Sequence, residues 1–355
     1  MFNRFNKSLF FYMENILETI IKEQKSEEMS RLDAIKISND LFSELMDREK
    51  DILVRRFGLK GGKGETLEKI GGLHKLTRER VRQIEAASIR KIKKLETLEQ
   101  YISGLKGTVY NLLEEHGGLI RRDYLLDILT VISLELNTEN SGKLEDEALR
   151  SSYRNHFNFL ISKLMGEELE LVSGGDKFTP SFKLKSGEIS HLEELADHLL
   201  EKVEGLKKTM KTEDLIELLK QLETYVKHQE KMQDGTMNIE TVFKSQTFPD
   251  KAATINSNKI LYSLMQAVKN LEQNKYGEWG IANWQEIKPK TVNDKIYLVL
   301  KHEGKPMHFT SIADKINEMK FDKKKANAAT VHNELILDER YVLISRGTYG
   351  LKDWK

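Results

Sequence analysis

The feature that most constrains the fold is a basic, helix-forming segment, TRERVRQIEAASIRKIKK, which runs from Thr77 to Lys94 and holds seven Arg and Lys residues. On a helical wheel at about 100° per residue, the segment has one narrow and largely apolar seam, while Ile89 falls on the opposite half. The seam consists of Thr77, Val81, Ile84, Ser88, Ile92 and Leu95. The opposite face is wide and mostly polar. The pattern therefore predicts a helix that packs along one side and presents a broad charged surface.

The residues before this segment complete a compact pattern. A first helix around Ile52 ends at Gly58, a natural C-cap. After a glycine-rich loop, Thr66 can cap a short helix, LEKIGGL, in which Glu68 comes early, where the helix dipole favours an anion. A short turn leads to Thr77, which can cap the basic helix. Two short helices joined by a tight turn, the second one basic, predict a helix-turn-helix.

Positive charge is concentrated in this part of the chain. Between Arg48 and Lys94 there are 15 Lys and Arg against 6 Asp and Glu, a net charge of +9. The whole chain of 355 residues carries +1, so the rest is near −8. A segment in which positive charge is concentrated in this way is suited to binding a polyanion such as DNA. The alternative interpretation is a solvated surface helix with ion pairs between neighbouring turns.

The start of the basic helix carries residue types that read base edges. In a helix-turn-helix, the first residues of the second helix meet the bases. Arg can bind guanine as a fork, Glu can accept from cytosine and Gln can bind adenine. We predict base contacts from Arg78, Glu79, Arg82 and Gln83. We predict phosphate contacts near the helix end from Arg90, Lys91, Lys93 and Lys94, of which Lys91 lies nearer the seam.

The stretches REKDILVRRFGL, TLEKIG and TRERVRQIEAASIRKIKKL resemble region 4 of the sigma-70 family of RNA polymerase sigma factors, over about fifty residues. The resemblance implies a helix-turn-helix that reads the −35 promoter element and packs on the flap of the polymerase β subunit. It implies base reading by Arg78, Glu79 and Gln83, with Arg82 beside them. It also implies that Thr66 and Leu67 meet the DNA backbone.

Two departures from the family pattern bear on function. Ala87 stands where a Lys commonly follows IEA, which puts one backbone or activator contact in doubt. Only 46 residues precede Asp47, and they contain no aromatic-rich motif of the kind that binds core polymerase and melts the −10 element. We therefore expect that this chain does not melt promoters.

A repeated motif organises the C-terminal half. GEWGIANW (Gly277–Trp284) and GTYGLKDW (Gly347–Trp354) both read Gly-x-aromatic-Gly-aliphatic-x-x-Trp. Glycine permits the positive φ of a tight hairpin, and the aromatic residues can cover a small core. LELVSGGDKFTPSFKL predicts an earlier hairpin with a turn at Gly174–Gly175 and without the Trp. Helices followed by a hairpin predict winged helices, although such hairpins also occur in other folds.

These patterns predict a mainly α chain, in which a sigma region 4-like helix-turn-helix precedes an array of winged-helix modules with small β-hairpin wings. We expect a helical lead-in over residues 1–46 and the helix-turn-helix over 47–104. A first candidate winged helix follows over 105–188. A helical region with a second candidate occupies 189–290, and the last winged helix occupies 291–355.

The last segment resembles the HARE-type helix-turn-helix, which includes the N-terminal domain of the RNA polymerase delta subunit, over about sixty residues. The matching stretches are HFTSIADKI, ATVHNELILDERYVLI and GTYGLKDW. The resemblance implies a winged helix used in transcription or chromatin, and it leaves open whether this copy touches DNA or protein. The run Asp322–Lys325 before the third helix could meet phosphates or stay a solvated loop.

Several other classes of site are not indicated. The chain has no cysteine, which excludes disulfides and thiolate zinc sites. GLKGGKGET lacks the Gly-Lys-Ser/Thr order of a P-loop. His191 and His198 share a helix face without a third metal ligand nearby. No apolar run is long enough to span a membrane. We expect no enzymatic activity, no metal or cofactor, no small-molecule substrate, no membrane contact and a cytoplasmic, nucleoid-associated location.

The sequence thus predicts a transcription regulator that binds promoter-like double-stranded DNA and reads a −35-like element. The alternative is a delta-like accessory subunit that contacts the RNA polymerase core, for example at the β flap, through protein surfaces. A third hypothesis, a targeting subunit for a separate DNA-modifying enzyme, rests on family analogy alone. The target sequence, the sign of regulation and the oligomeric state are not specified by these patterns.

Overall fold

The computed structural model of the chain describes residues 32–136, 143, 145–173, 175–233, 235 and 250–354. Residues 1–31 of the predicted helical lead-in lie outside this description. The described residues form two compact units, one with residues up to 173 together with 180–188 and 235, the other with 175–179, 189–233 and 250–354. Within these ranges, no helix is both long enough and apolar enough to cross a bilayer.

The described part of the first unit begins with four helices: α1 (Ala34–Phe42), α2 (Asp47–Phe57), α3 (Leu67–His74) and α4 (Arg78–Lys93). α2 ends at Gly58, whose φ of 65° is left-handed, as the C-cap prediction required. Ile52, Ile70 and Val81 are fully buried and form the core shared by α2, α3 and α4. The predicted helix-turn-helix is therefore present, with one small core at the centre of three helices.

The same unit contains a first winged helix. Its elements are α5 (Leu98–Glu115), β1 (Leu119–Arg121), α6 (Arg122–Leu136), α7 (Glu147–Phe159), a π-helical turn (Leu160–Leu164), β2 (Leu169–Val172) and β3 (Ser181–Leu184). The strands form an antiparallel sheet in the order β1-β3-β2, with Leu169 opposite Leu184. The predicted hairpin is present as the pair β2 and β3, and its predicted turn includes Gly174, which lies outside the described residues.

The second unit contains the two other winged helices. The first of them consists of α8 (Ser190–Leu206), β4 (Met210–Lys211), α9 (Thr212–Lys220), α10 (Glu223–Lys227), a 3-10 turn (Gln229–Lys231), α11 (Ala252–Asn256), α12 (Lys259–Ala267), β5 (Leu271–Gln273) and β6 (Glu278–Ile281). The last consists of α13 (Val292–Glu303), β7 (Met307–His308), α14 (Phe309–Met319), α15 (Ala328–Leu337), β8 (Tyr341–Ser345), β9 (Thr348–Leu351) and a 3-10 turn (Lys352–Trp354).

All three winged helices share one sheet plan. A short strand follows the first helix and pairs with the last strand, which lies between its two partners: β1-β3-β2, β4-β6-β5 and β7-β9-β8. The prediction of helices followed by a hairpin is confirmed, while this additional strand was not predicted. It has only two or three residues in each module, which is too short to show alternation in the sequence.

The glycines of the repeated motif have two different roles. Gly277 and Gly347 have φ values of 80° and 69°, as the tight turns were predicted to need. Gly280 and Gly350 instead lie within strands, where a Cβ would come within 2.8 Å and 3.2 Å of the ring of the motif's own tryptophan. The second glycine of each motif therefore makes room for the Trp to lie against the strand.

Candidate nucleic-acid interface

The turn between α3 and α4 determines the orientation of α4 relative to α3. Lys75 closes α3 in the left-handed region with φ 55°, and the Leu76 N–H donates to the Gly71 carbonyl at 2.8 Å. A Cβ on Gly71 would lie 2.6 Å from the Leu76 carbonyl oxygen. Since that obstacle is backbone, only glycine allows this close approach. The orientation of α4 relative to α3 depends on this contact.

One side of α4 is packed, as the seam predicted. Val81, Ser88 and Ile92 are fully buried. The Ser88 hydroxyl donates to the Ile84 carbonyl at 2.8 Å, so the polar group in the seam keeps a hydrogen bond. Thr77 is exposed and caps the helix, because its side chain accepts from the Arg80 N–H at 3.2 Å.

The start of α4 presents all four predicted base-reading side chains to solvent: Arg78, Glu79, Arg82 and Gln83. Arg82 donates twice to Glu79, at 2.8 Å from Nε and 2.7 Å from Nη2. Gln83 also donates to Glu79, at 3.5 Å. The hydrogen bond from Arg82 lowers the pKa of Glu79, which keeps it an ionised acceptor. Because the pair is exposed on both sides, it is weakly held and can exchange for contacts with a ligand.

The first turns of α3 and α4 lie side by side. Arg78 Nε is 3.2 Å from Glu68 Oε1, which joins the two helix starts. Thr66 is exposed and caps α3 by accepting from the Lys69 N–H at 3.3 Å. The Leu67 side chain packs against the core of the helix-turn-helix, so the part of Leu67 that can meet a phosphate is its backbone N–H in the first turn.

The cations near the end of α4 form a separate group. Arg90, Lys93 and Lys94 are exposed, and Arg90 Nε donates to the Ala86 carbonyl at 3.3 Å. No carboxylate among the described residues forms an ion pair with Lys93 or Lys94. At about 1.5 Å rise per residue, Lys93 lies some 22 Å along the helix from Arg78. The four predicted base-reading residues and these cations therefore lie at opposite ends of α4.

Lys91 differs from the other predicted phosphate contacts. Its ammonium donates to the Glu44 carbonyl and lies 3.8 Å from the Glu49 carboxylate. It therefore points toward the connection between α1 and α2, in keeping with its predicted position near the seam. A phosphate contact by Lys91 would require that it leave these two partners.

Two arginines that the sequence analysis did not select support the interface. Arg80 Nη1 donates to the Gln83 side-chain oxygen at 3.2 Å and thus orients its amide. Arg56 donates to the Glu65 carbonyl at 3.0 Å and lies 3.3 Å from Glu85, which ties α2 to α4. The spacing of Arg80 and Gln83 was readable from the sequence. The pairing of Arg56 with Glu85 was not, because these residues are 29 positions apart.

Comparisons with known proteins agree with this geometry. Residues 41–94 match the family model described as "Sigma-70, region 4", and residues 290–354 match the HARE-HTH model, described as an "ASXL, restriction endonuclease HTH domain". RNA polymerase sigma factor SigA1 of Synechococcus elongatus is 46% identical over 65 residues, which cover 18% of this chain and 16% of that sigma factor. No solved structure matches the chain. The chain thus carries a sigma-70 region 4 helix-turn-helix and a HARE-type helix-turn-helix, and both segments indicate a DNA-binding helix-turn-helix protein.

Proposed function

We propose that this protein is a transcription regulator that binds promoter-like double-stranded DNA and reads a −35-like element with α4. The observation that carries the proposal is the arrangement of α4: four side chains suited to base edges are exposed at its start, while Val81, Ser88 and Ile92 of the seam are buried. The proposed role requires no chemical step, and we propose no enzymatic activity. We propose a cytoplasmic, nucleoid-associated location.

The geometry suits the major groove, which is about 12 Å wide and admits one α-helix. Arg78 and Arg82 can each bind a guanine as a fork, and Gln83 can bind an adenine. When Arg82 turns to a base, Glu79 becomes free to accept from cytosine. The backbone N–H groups at the start of α3 would hold one phosphate.

The phosphates further along the site would meet the cations near the end of α4, namely Arg90, Lys93 and Lys94. Neutralised phosphates release counterions, so the affinity falls as salt rises. Lys91 would join them only after it leaves its partners within the chain. These contacts give affinity and register, and the four residues at the start of α4 give sequence preference.

A filter-binding titration on a −35-like duplex and on a scrambled duplex tests the proposal. Arg82→Ala and Gln83→Ala should each weaken binding to the preferred duplex by about 1–3 kcal/mol and leave the scrambled duplex nearly unaffected. Lys93→Ala is the matched control, because it should weaken both duplexes equally. Equal losses on both duplexes for Arg82→Ala and Gln83→Ala would refute base reading.

A second candidate function, a polymerase accessory role through protein contacts, is favoured by one observation in the last winged helix. Half of the exposed large hydrophobic side chains in the described part of the chain lie between residues 336 and 354: Ile336, Leu337, Leu343, Ile344 and Trp354. α15, the third helix of that module, contains no Lys or Arg. Such a surface suits a protein partner better than a phosphate backbone.

Pull-down with core RNA polymerase separates the two functions. If the accessory role holds, Leu337→Glu should reduce retention of the protein by polymerase, whereas Arg82→Ala should not. Binding to polymerase that is indifferent to Leu337→Glu would remove the reason for the second candidate.

A further inference from the structure

α7, the third helix of the first winged helix, is packed against the loop that links α2 to α3. We call this loop, residues 58–65, the linking loop. The Asn155 amide donates to the carbonyls of Gly58 at 2.8 Å and Gly62 at 3.0 Å. The Ser152 hydroxyl donates to the Leu59 carbonyl at 2.7 Å. Three hydrogen bonds from one helix face therefore hold the backbone of the linking loop.

The glycines of the linking loop allow it to lie tightly between two helices. A Cβ on Gly61 would come within 2.6 Å of the Ala148 carbonyl oxygen of α7, and the φ of Gly61 is 87°. A Cβ on Gly64 would come within 2.4 Å of the Arg56 carbonyl oxygen of α2. In both cases the obstacle is backbone. The conformation of the loop is therefore fixed from both sides.

α7 also packs against residues of the sigma-like part outside the linking loop. The Phe159 ring at its end lies 4.9 Å from the ring of Phe57 and 5.5 Å from that of Phe42. His156, on the same helix, is buried and hydrogen-bonds to the backbone of Leu59. In a DNA-binding helix-turn-helix the recognition helix must be free to enter a groove. This face of α7 is already covered by the sigma-like part of the chain.

The braced loop carries two cations toward solvent. Lys60 and Lys63 are exposed, and neither forms an ion pair with any carboxylate of the described residues. They line one depression together with Arg55 and the carboxylates Asp51 and Glu65. Lys63 precedes Thr66 by three residues, a span of at most about 11 Å. Lys63 thus adjoins the start of α3, where the proposed function already places a phosphate, and Lys60 lines the same depression.

We infer that the first winged helix is a brace for the DNA reader, and that the braced linking loop binds DNA phosphates through Lys60 and Lys63. Ser152 and Asn155 are positioning residues, since they hold the loop without touching DNA. A loop that is ordered before binding loses less conformational entropy when its lysines meet phosphates. The inference rests on the proposed DNA binding, and it assigns the first winged helix a role other than reading bases with α7.

The test measures how the affinity of the full chain for a −35-like duplex depends on salt. Each phosphate contact contributes about 0.9 to the slope of log affinity against log salt. The double variant Lys60→Ala, Lys63→Ala should lower the slope by about 1.8, so that the affinity lost between about 50 mM and 200 mM salt is about 12-fold smaller. A slope equal to that of the unchanged protein overturns the phosphate contacts.

A second measurement tests the brace by a double-mutant cycle. With Asn155→Ala, the same two lysine substitutions should change the slope by less than they do in the unchanged protein. Asn158→Ala is the matched control, because Asn158 lies on the same helix and contacts Ser162, not the loop. Ser152→Thr, which keeps the hydroxyl, should leave the slope unchanged. Strict additivity of Asn155→Ala and the lysine substitutions would show that the loop is not positioned by α7.

The outcomes separate this inference from the proposed function. If Arg82→Ala abolishes sequence preference while the lysine substitutions leave the slope unchanged, base reading stands and the phosphate contacts of the linking loop fail. If the lysine substitutions lower the slope while Arg82→Ala is without effect on preference, the loop contacts stand and base reading fails.

Discussion

Gly71→Ala tests whether the turn of the helix-turn-helix depends on the close approach of two backbone segments. The added Cβ would lie 2.6 Å from the Leu76 carbonyl oxygen, against an ordinary contact of 3.4–4 Å. Moving the turn apart should cost about 1–3 kcal/mol. The hydrogen bond between Leu76 and Gly71 would weaken too, at about 1 kcal/mol. Replacing a helical Gly by Ala gains about 1 kcal/mol. The net expectation is a destabilisation of about 1–3 kcal/mol.

Gly72→Ala is the matched control. Gly72 lies in the same helix, is exposed, and its added Cβ would have nothing within 4 Å. This variant should therefore gain stability by about 0.5–1 kcal/mol. Urea unfolding followed by circular dichroism compares the two variants with the unchanged protein. Gly71→Ala should also lose affinity for its preferred duplex, because α4 no longer leaves α3 in the same direction. If the two alanine variants are equally stable, the close approach does not determine the turn.

Three further predictions concern other parts of the chain. Thr77→Ala should cost about 1 kcal/mol in urea unfolding because α4 loses its cap, and Thr77→Ser should restore most of it; equal stability of the two variants would contradict the capping role. Gly280→Ala should cost about 1–3 kcal/mol and shift the tryptophan fluorescence maximum, since the Trp284 ring must move; an unchanged spectrum would argue against that contact. Burial lowers the pKa of His156 to about 4, below the 6.5 of the free side chain. The unfolded chain therefore takes up a proton first, and stability should fall by up to about 1.4 kcal/mol per pH unit as pH drops from 6.5 toward 4. His156→Gln should flatten this part of the profile, and an unchanged slope would count against the assignment.

Local features of the helix-turn-helix were predictable because they depend on neighbours in the sequence. Thr66 and Thr77 cap α3 and α4, and Gly58 closes α2, as residue type and position indicated. The burial of Val81, Ser88 and Ile92 in the seam of α4 was predictable from spacing alone, because a 3.6-residue period places them on one side. These features also fixed which residues at the start of α4 are exposed.

Contacts between residues that are far apart in the sequence became visible only in the structure. The contacts of Asn155 with the linking loop join residues that are 93 and 97 positions apart in the sequence, and no local sequence pattern predicts them. Gly280 and Gly350 were interpreted as turn residues, whereas each leaves space for a tryptophan ring. The Lys91 ammonium donates a hydrogen bond to the Glu44 carbonyl, and no local pattern predicts this contact either. α5 also runs across the segment boundary expected at residues 104 and 105, and we propose that the helix-turn-helix ends near Leu95, before that helix begins.

Selection from a random duplex library tests our proposal that α4 reads bases. The full chain and its Gln83→Ala variant are each used to enrich bound duplexes at a fixed, physiological salt concentration, and the recovered sequences are compared. We expect that the unchanged protein enriches one −35-like sequence, and that Gln83→Ala loses the preference at one base pair while keeping the rest. If the unchanged protein recovers no shared sequence, base reading by α4 is contradicted. It is also contradicted if the variant recovers the same sequence with undiminished preference.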